Sequence, residues 1–274
     1  MAILMCRPEH FGIEYEINPW MHMAVEVDHE RAVEQWEALH SLYEELGESI
    51  ALTAPAAGLP DMVFTANAAV LWGRRAVLSR FHHVERAGEE AHWRVALEDL
   101  GFAVHDVPAE VSFEGAGDAL FVGDHLFQGF GFRTDQAAHA LVSGLLDVES
   151  TSLQLVDPRF YHLDTCFCPI DERSALIAPS ALTPEAVDLV RARVPRLIEV
   201  DREVAEGFAC NAMPLQGRVI SSTAAEALRA PLGEAGLEVV CLPMDEFMKS
   251  GGGVRCLSLP LDMGVSQRPT TPTP

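Results

Sequence analysis

Basic residues are scarce in this sequence: 19 Lys and Arg stand against 41 Asp and Glu, a formal net charge of −22. That argues against nucleic acid or an anionic membrane as a partner, because each neutralised phosphate needs a cation on the protein. It is compatible with a cationic small substrate, and equally with acidity that only maintains solubility. Long apolar runs are missing too. No stretch of about 18 apolar residues could span a bilayer, and the opening MAILMCRPEHFG lacks a basic segment followed by an apolar one, so neither a membrane span nor a signal peptide is expected. The expected location is the cytoplasm, where Cys6, Cys166, Cys168, Cys210, Cys241 and Cys256 would be free thiols. No Cys-x-x-Cys pair occurs, and Cys166 and Cys168 alternate onto one strand face without a second ligand pair, so no metal is expected. Disorder is excluded for most of the chain by 49% hydrophobic content over 274 residues, enough to bury a large core.

Self-similarity is what the sequence does have. Five segments read as an apolar strand carrying one or two polar residues, a short turn and a second apolar strand: DMVFTANAAVLWGRRAVLSRF, ALFVGDHLFQGFGFRTD, HLDTCFCPIDERSALIAPSAL, ACNAMPLQGRVISSTA and GGVRCLSLPL. They recur at roughly 45 to 55 residues. Helical stretches separate them: Ala32, Val33, Trp36, Leu39, Tyr43 and Leu46 form one stripe over residues 29–47, which Gly47 ends. Thr183 before Pro184 marks another helix start, and Thr223 with Glu226 reads as a capping box. The fifth segment ends near Pro260, and MAILMCRP reads as a strand without a partner, so pairing the two would close the structure and remove an edge. The expectation is an α/β ring of five pseudo-symmetric units, one domain over 1–262, followed by a disordered tail over 263–274, SQRPTTPTP at its end.

The polar residues that interrupt each apolar pattern fall on the strand expected to face the central axis: Asp61 and Asn67, Glu114 and Asp118, His162 and Asp164, Asn211, and Cys256. A thiol, an imidazole and several carboxylates from different units supply a nucleophile, a proton carrier and a cation-binding cradle. Taken singly, each has a plainer reading. Cys256 alone is an ordinary buried thiol, although Gly251-Gly252-Gly253 before it lets the backbone approach a ligand. His162 alone is a core histidine, although Asp164 shares its strand face. Asp61 fits a turn hydrogen bond as well as a substrate amine, and Asn211 fits strand support as well as substrate contact.

LPDMVFTANA, FEGAGDAL, GFGFRTD, YHLDTCF and GGGVRCLSLPL together resemble the guanidino-modifying enzymes, the penteins, over nearly the whole chain. RPEHFGIEYEINPWM with FTAN looks most like their arginine dihydrolase branch. The resemblance implies a five-bladed α/β propeller and a hydrolase that needs no cofactor and acts on a small cationic guanidino substrate. It makes Cys256 the nucleophile, His162 the general acid and base, and Glu114 the carboxylate that orients the histidine. Asn67 and Asp164 would bind guanidinium nitrogens, Phe64 would lie against the guanidinium plane, and Arg133 would meet the substrate carboxylate. Asp61, Asp118, Asn211 and Asn18 would complete the substrate-binding set. Relatives of this kind are often oligomers.

Attack on a resonance-stabilised guanidinium carbon needs a thiolate and a proton for the departing amine. A free thiol is only a few per cent thiolate near neutrality, so a cationic neighbour or the substrate itself must favour ionisation. Asn67 stands where the deiminase pattern FTRD carries aspartate. Asparagine both donates and accepts, so it can hold a neutral ureido group and permit a second hydrolysis to ornithine, ammonia and carbon dioxide. The alternatives are a one-step deiminase or dimethylargininase, an amidinotransferase, and a non-catalytic binding module of the same fold.

Overall fold

The structure is a computed structural model that describes residues 2–264. Strands β1 (Ala2–Cys6) and β2 (Ser49–Thr53) come first. Four similar groups follow: β3 (Ala69–Trp72), β4 (Arg75–Leu78) and β5 (Ala103–His105); β6 (Ala119–Val122), β7 (His125–Phe130) and β8 (Ser150–Gln154); β9 (Phe167–Pro169), β10 (Ser174–Ile177) and β11 (Arg196–Glu199); β12 (Met213–Leu215), β13 (Arg218–Ser222) and β14 (Glu238–Leu242). Strand β15 (Leu259–Pro260) is last. In every group an inner strand pairs antiparallel with the middle strand across a tight turn, and the middle strand pairs parallel with an outer one. A parallel pair needs a crossover, which the helices His29–Glu45, Glu89–Asp99, Gln136–Leu146, Pro184–Arg193 and Arg229–Glu234 provide. The result is a five-bladed α/β propeller. Its fifth blade has the order β15-β1-β2, with Ile3 opposite Pro260 and Leu4 opposite Leu259, so the chain ends close the ring as expected.

Local chemistry explains the elements. The first crossover helix is capped by Asp28, whose side chain accepts from the Arg31 N–H, and Gly47 leaves it at φ +75°. Ala32, Trp36, Leu39 and Tyr43 are its buried stripe. Thr183 caps its helix through the Ala186 N–H at 3.2 Å. The capping box expected at Thr223 and Glu226 does not form: Thr223–Leu228 is a 3₁₀ stretch without a side-chain cap, and Glu226 pairs with Arg229. A carboxylate with a guanidinium three residues on has a stronger partner than a backbone N–H. Strands β6 (ALFV) and β10 (SALI) are buried along their whole length, as strands covered on both faces must be.

The polar residues do not lie along the inner strands as the alternation suggests. They sit on one-turn segments just before them: Thr65–Ala68 before β3, Gly115–Asp118 before β6, Leu163–Thr165 before β9, and the run around Cys256 before β15. One end of the axis therefore collects these turns, and the other collects the hairpin tips. At the chain end, the Met263 carbonyl accepts from the Gly73 N–H at 2.7 Å, so the ordered part runs two residues past the expected boundary. The disorder expected of the tail falls on 265–274, outside the described residues.

Candidate active site

The Cys256 thiol is buried, and Asn211 pins it. The Asn211 side-chain carbonyl accepts from the N–H groups of Arg255 (3.0 Å) and Cys256 (3.2 Å), while its amide donates to the Cys256 Sγ (3.1 Å) and the Asp164 carbonyl (3.2 Å). One side chain from the fourth blade thus fixes the nucleophile of the fifth and the turn of the third. The Asp164 carboxyl lies 3.5 Å from the Cys256 Sγ, and its other oxygen is buried without a hydrogen-bond partner among the described residues. Such an orphan costs on the order of 1–3 kcal/mol, which a cation delivered to the site would recover. Burial pushes Asp164 up to about 7, against Arg255 and hydrogen bonds from Cys256 and Asn211. Burial and the Asp164 charge also push the Cys256 thiol well up, with hydrogen bonds from Gly253 and Asn211 opposing them. Both effects favour the neutral thiol over the thiolate in the ligand-free site.

Two residues before Asp164, the His162 Nε2 lies 2.7 Å from the Glu114 Oε2, and both groups are buried. Glu114 also accepts from Arg133 at 3.0 Å and from the His82 N–H at 3.2 Å. Burial alone would raise Glu114, but Arg133 and the His162 hydrogen bond outweigh it and hold the carboxyl well below the usual range. An ionised Glu114 selects the tautomer with the proton on Nε2. Gly117 lets this pair close up: a Cβ there would overlap the Asn67 amide and approach His162 Nδ1 to 3.2 Å.

Asn67 accepts from Arg86 Nη1 at 2.9 Å and donates to the Glu114 carbonyl at 3.5 Å. Phe64 is buried edge-on to Phe11 at 5.8 Å, and its ring fills the space where a Cβ on Gly252 would stand. Asp61 accepts from the Tyr15 hydroxyl at 3.0 Å and keeps one buried oxygen without a hydrogen-bond partner among the described residues; burial raises it to about 6, with Arg86 opposing.

Three expected substrate contacts are committed elsewhere. Asp118 accepts from the Leu163 N–H at 2.9 Å and the Thr134 hydroxyl at 2.7 Å, so it holds the His162 turn in place. Asn18 donates to the Ser250 carbonyl at 3.0 Å and accepts from the Trp20 and Met21 N–H groups. It ties down the irregular segment that covers the site. Arg133 spends its guanidinium on Glu114, on the Ile17 carbonyl at 2.9 Å and over the Tyr161 ring at 4.7 Å, because a buried cation takes the carboxylate beside it.

Sequence reasoning missed Arg86. It is 3% exposed, forks onto Glu89 at 2.7 and 2.9 Å, and also reaches Asn67 and the Asp61 carbonyl. The Arg86–Glu89 spacing is visible in the sequence, but nothing marks the pair as buried. Tyr161 was also missed; its hydroxyl donates to the Gly251 carbonyl at 2.8 Å and so braces the glycine run against His162. An open cleft of about 860 Å³ lies at the opposite, hairpin end of the axis, lined by Phe127, Cys168, Met213 and Arg255. Of the residues just described only Arg255 lines it, and the Cys256, His162, Glu114 and Asp164 side chains do not, so its size does not mark the chemistry.

Five blades around this polar axis define a pentein. A family model described as N,N dimethylarginine dimethylhydrolase, eukaryotic, matches residues 7–262, and the chain belongs to that family. It is 44% identical over 264 residues to the bifunctional arginine dihydrolase/ornithine cyclodeaminase ArgZ of Synechocystis sp., covering 94% of this chain and 37% of that protein. It is 40% identical over 255 residues to the N(G),N(G)-dimethylarginine dimethylaminohydrolase of Mycobacterium tuberculosis, covering 93% and 84% respectively. The substrate-bound N-terminal domain of the cyanobacterial ArgZ, an arginine dihydrolase, superposes with a TM-score of 0.91 at 43% identity, over 94% of this chain and 97% of that one. The chain spans little more than a third of the length of the two bifunctional relatives it matches, 37% of each.

Proposed function

We propose that this chain hydrolyses L-arginine at Cys256 in two successive steps, giving ornithine, two ammonia and carbon dioxide. The observation that carries the reading is the buried pairing of the Cys256 thiol with an Asp164 carboxyl that keeps one oxygen free, beside Asn67 rather than an acid. A guanidinium entering this pocket meets Asp164 and brings the positive charge that the neutral thiol lacks, so substrate binding itself favours the thiolate. His162, whose Nε2 proton faces Glu114, takes the thiol proton on Nδ1; the thiolate adds to the guanidinium carbon, the imidazolium passes that proton to the departing ammonia, and an S-alkylthiouronium remains on Cys256. His162 then takes a proton from water, whose attack releases citrulline and restores the thiol. Glu114 holds the imidazole through both transfers. Asn67, a donor and acceptor without charge, retains the neutral ureido product for a second addition, which expels the second ammonia and leaves a thiocarbamate on Cys256; a second water cleaves its C–S bond, restoring the thiol, and the released carbamate loses carbon dioxide to give ornithine. The likeness to ArgZ over 94% of this chain supports the two-step outcome.

A one-step dimethylarginine hydrolysis is the second reading, favoured by the family model and by the mycobacterial relative. Product analysis separates the two. Incubation with arginine is expected to yield ornithine with about two ammonia per arginine consumed, and Cys256→Ala is expected to abolish turnover while the fold persists. Citrulline as sole product, or turnover of dimethylarginine but not arginine, would reject the two-step reading. Turnover that survives Cys256→Ala would reject the mechanism.

A further inference from the structure

Asn211 is fully buried and has no capacity left for a substrate. Its side-chain oxygen takes two N–H groups, from Arg255 at 3.0 Å and Cys256 at 3.2 Å, and its nitrogen gives one proton to the Asp164 carbonyl at 3.2 Å and the other to the Cys256 Sγ at 3.1 Å. All four hydrogen-bonding positions of the amide are used, so the substrate contact expected for it is not available. The same partners fix which way the amide faces. Turned over, its nitrogen would stand against two N–H donors and its oxygen against the Asp164 carbonyl oxygen. The backbone beneath it is equally constrained: the Ser221 hydroxyl on β13 shares its proton between the Phe208 and Ala209 carbonyls at 3.2 and 3.1 Å, and the Asn211 N–H returns to the Phe208 carbonyl at 3.0 Å. Gly253 makes room on the other side, where a Cβ would come within 3.0 Å of the Asn211 oxygen. Three blades thereby aim one buried donor at the sulfur.

We propose that Asn211 is a catalytic residue of the hydrolysis assigned above: its side-chain N–H is the fixed donor that stabilises the Cys256 thiolate. The inference rests on that reading of Cys256. The sulfur needs such a donor because the acid beside it works against the thiolate. Asp164 lies 3.5 Å from Sγ and accepts from the thiol; once that proton has left it has nothing to donate, and as a carboxylate it repels the new charge. A bound guanidinium neutralises this pair during the first addition. In the second addition the carbon attacked belongs to a neutral ureido group, so no substrate cation stands between the thiolate and Asp164. An uncharged amide serves both additions alike. Its hydrogen bond to a neutral thiol is weak, becomes charge-assisted when the sulfur ionises, and needs no reorganisation because the amide is already in place. The Gly253 N–H acts in the same sense, and Asn211 supplies the side chain of that pair.

Aspartate separates the donor from the anchor. Asn211→Asp keeps an oxygen for the Arg255 and Cys256 N–H groups and loses the N–H toward sulfur, whereas Asn211→Ala loses both. The test uses the full chain of wild type and each variant, with Tm as the check on folding. One measurement is the rate at which 2-chloroacetamidine alkylates Cys256, the thiolate forming a C–S bond and expelling chloride, together with kcat for arginine. The other is the arginine Kd in a Cys256→Ala background, where the sulfur is absent. Both variants are expected to lose on the order of 10²-fold in alkylation and in kcat, Asn211→Asp at least as much as Asn211→Ala. Arginine affinity is expected to stay within about tenfold in either. Alkylation of Asn211→Asp within about tenfold of the wild-type rate would show that the oxygen anchor is what matters, and would overturn the proposal. Arginine binding weakened by about tenfold or more would make Asn211 a substrate contact and overturn it too. If Asn211→Asp does not fold, Asn211→Ala decides by the same two limits; loss of folding in both would make the residue a brace and reject the proposal. If wild-type Cys256 is neither alkylated nor needed for turnover, the functional reading itself fails and this role falls with it.

Discussion

Asn67 is fastened on both sides of its amide, its oxygen toward Arg86 and its nitrogen toward the Glu114 carbonyl. An aspartate of the same shape would pair more strongly with Arg86, lose the donor toward Glu114, and add a negative charge to a pocket that already contains Asp61 and Asp164. A cationic first substrate tolerates that charge. A neutral ureido intermediate gains nothing from it and loses the second N–H of the Asn67 amide, the donor proposed for its carbonyl. Asn67→Asp is therefore expected to leave consumption of arginine within about tenfold of wild type while citrulline replaces ornithine as the main product. Quantifying both amino acids over a time course checks this. An unchanged ornithine yield would show that Asn67 tunes affinity alone.

At the scale of elements, the blades were legible in the sequence because each is a local pattern: an apolar strand, a turn and a second strand, then a helix with a stripe at spacings of three and four. Ring closure was legible because β1 had no local partner. The site was legible as a set of residue types, yet several partners were not. Asp118 meets Thr134 and Leu163, Arg133 meets Glu114, and Arg86 meets Asn67, each pair joining segments that are separate in sequence or lie on different blades. Alternation gives the face of a strand, and these residues stand on one-turn segments where alternation has no meaning. Gly252 shows what such a segment demands. Its φ is not positive, so alanine is allowed by the backbone, but a Cβ would overlap the Phe64 ring. Gly252→Ala is expected to cost about 1–3 kcal/mol of stability by overpacking and about 10²-fold in kcat/KM by shifting the Cys256 segment. Adding Phe64→Leu should recover stability but not full activity, because the wall proposed to lie against the guanidinium is then gone. Urea midpoints and initial rates on both variants measure the two effects separately; recovery of full activity would show that Phe64 only fills space.

The whole molecule carries an unusual pH signature. Burial raises Asp61 and Asp118 to about 6 and Asp164 to about 7. Each therefore holds a proton in the folded chain at pH values where the unfolded chain has released it, and folded stability must fall as pH rises from about 4 toward 7. Each excess proton bound by the folded state contributes a slope of about 1.4 kcal/mol per pH unit. Glu114 acts in the opposite sense: held well below the usual carboxylate range, its contribution is present above the unfolded value near 4.5 and is lost only as pH falls below it. Repulsion within a chain of charge −22 grows in the same direction as the three aspartates, since every carboxylate released adds to it. The ligand-free protein is thus expected to be most stable between about pH 4.5 and 5.5, and its Tm should decline by pH 7.5. On the proposed function arginine should reverse the sign at the site, because a guanidinium paired with ionised Asp164 is worth more once that proton has left. In Cys256→Ala, which is expected to bind without turnover, saturating arginine should raise the Tm more at pH 7.5 than at pH 5.5. A Tm that climbs from pH 5 to 7.5 without ligand, or an arginine stabilisation that is larger on the acid side, would place the ionised form of Asp164 outside the binding step.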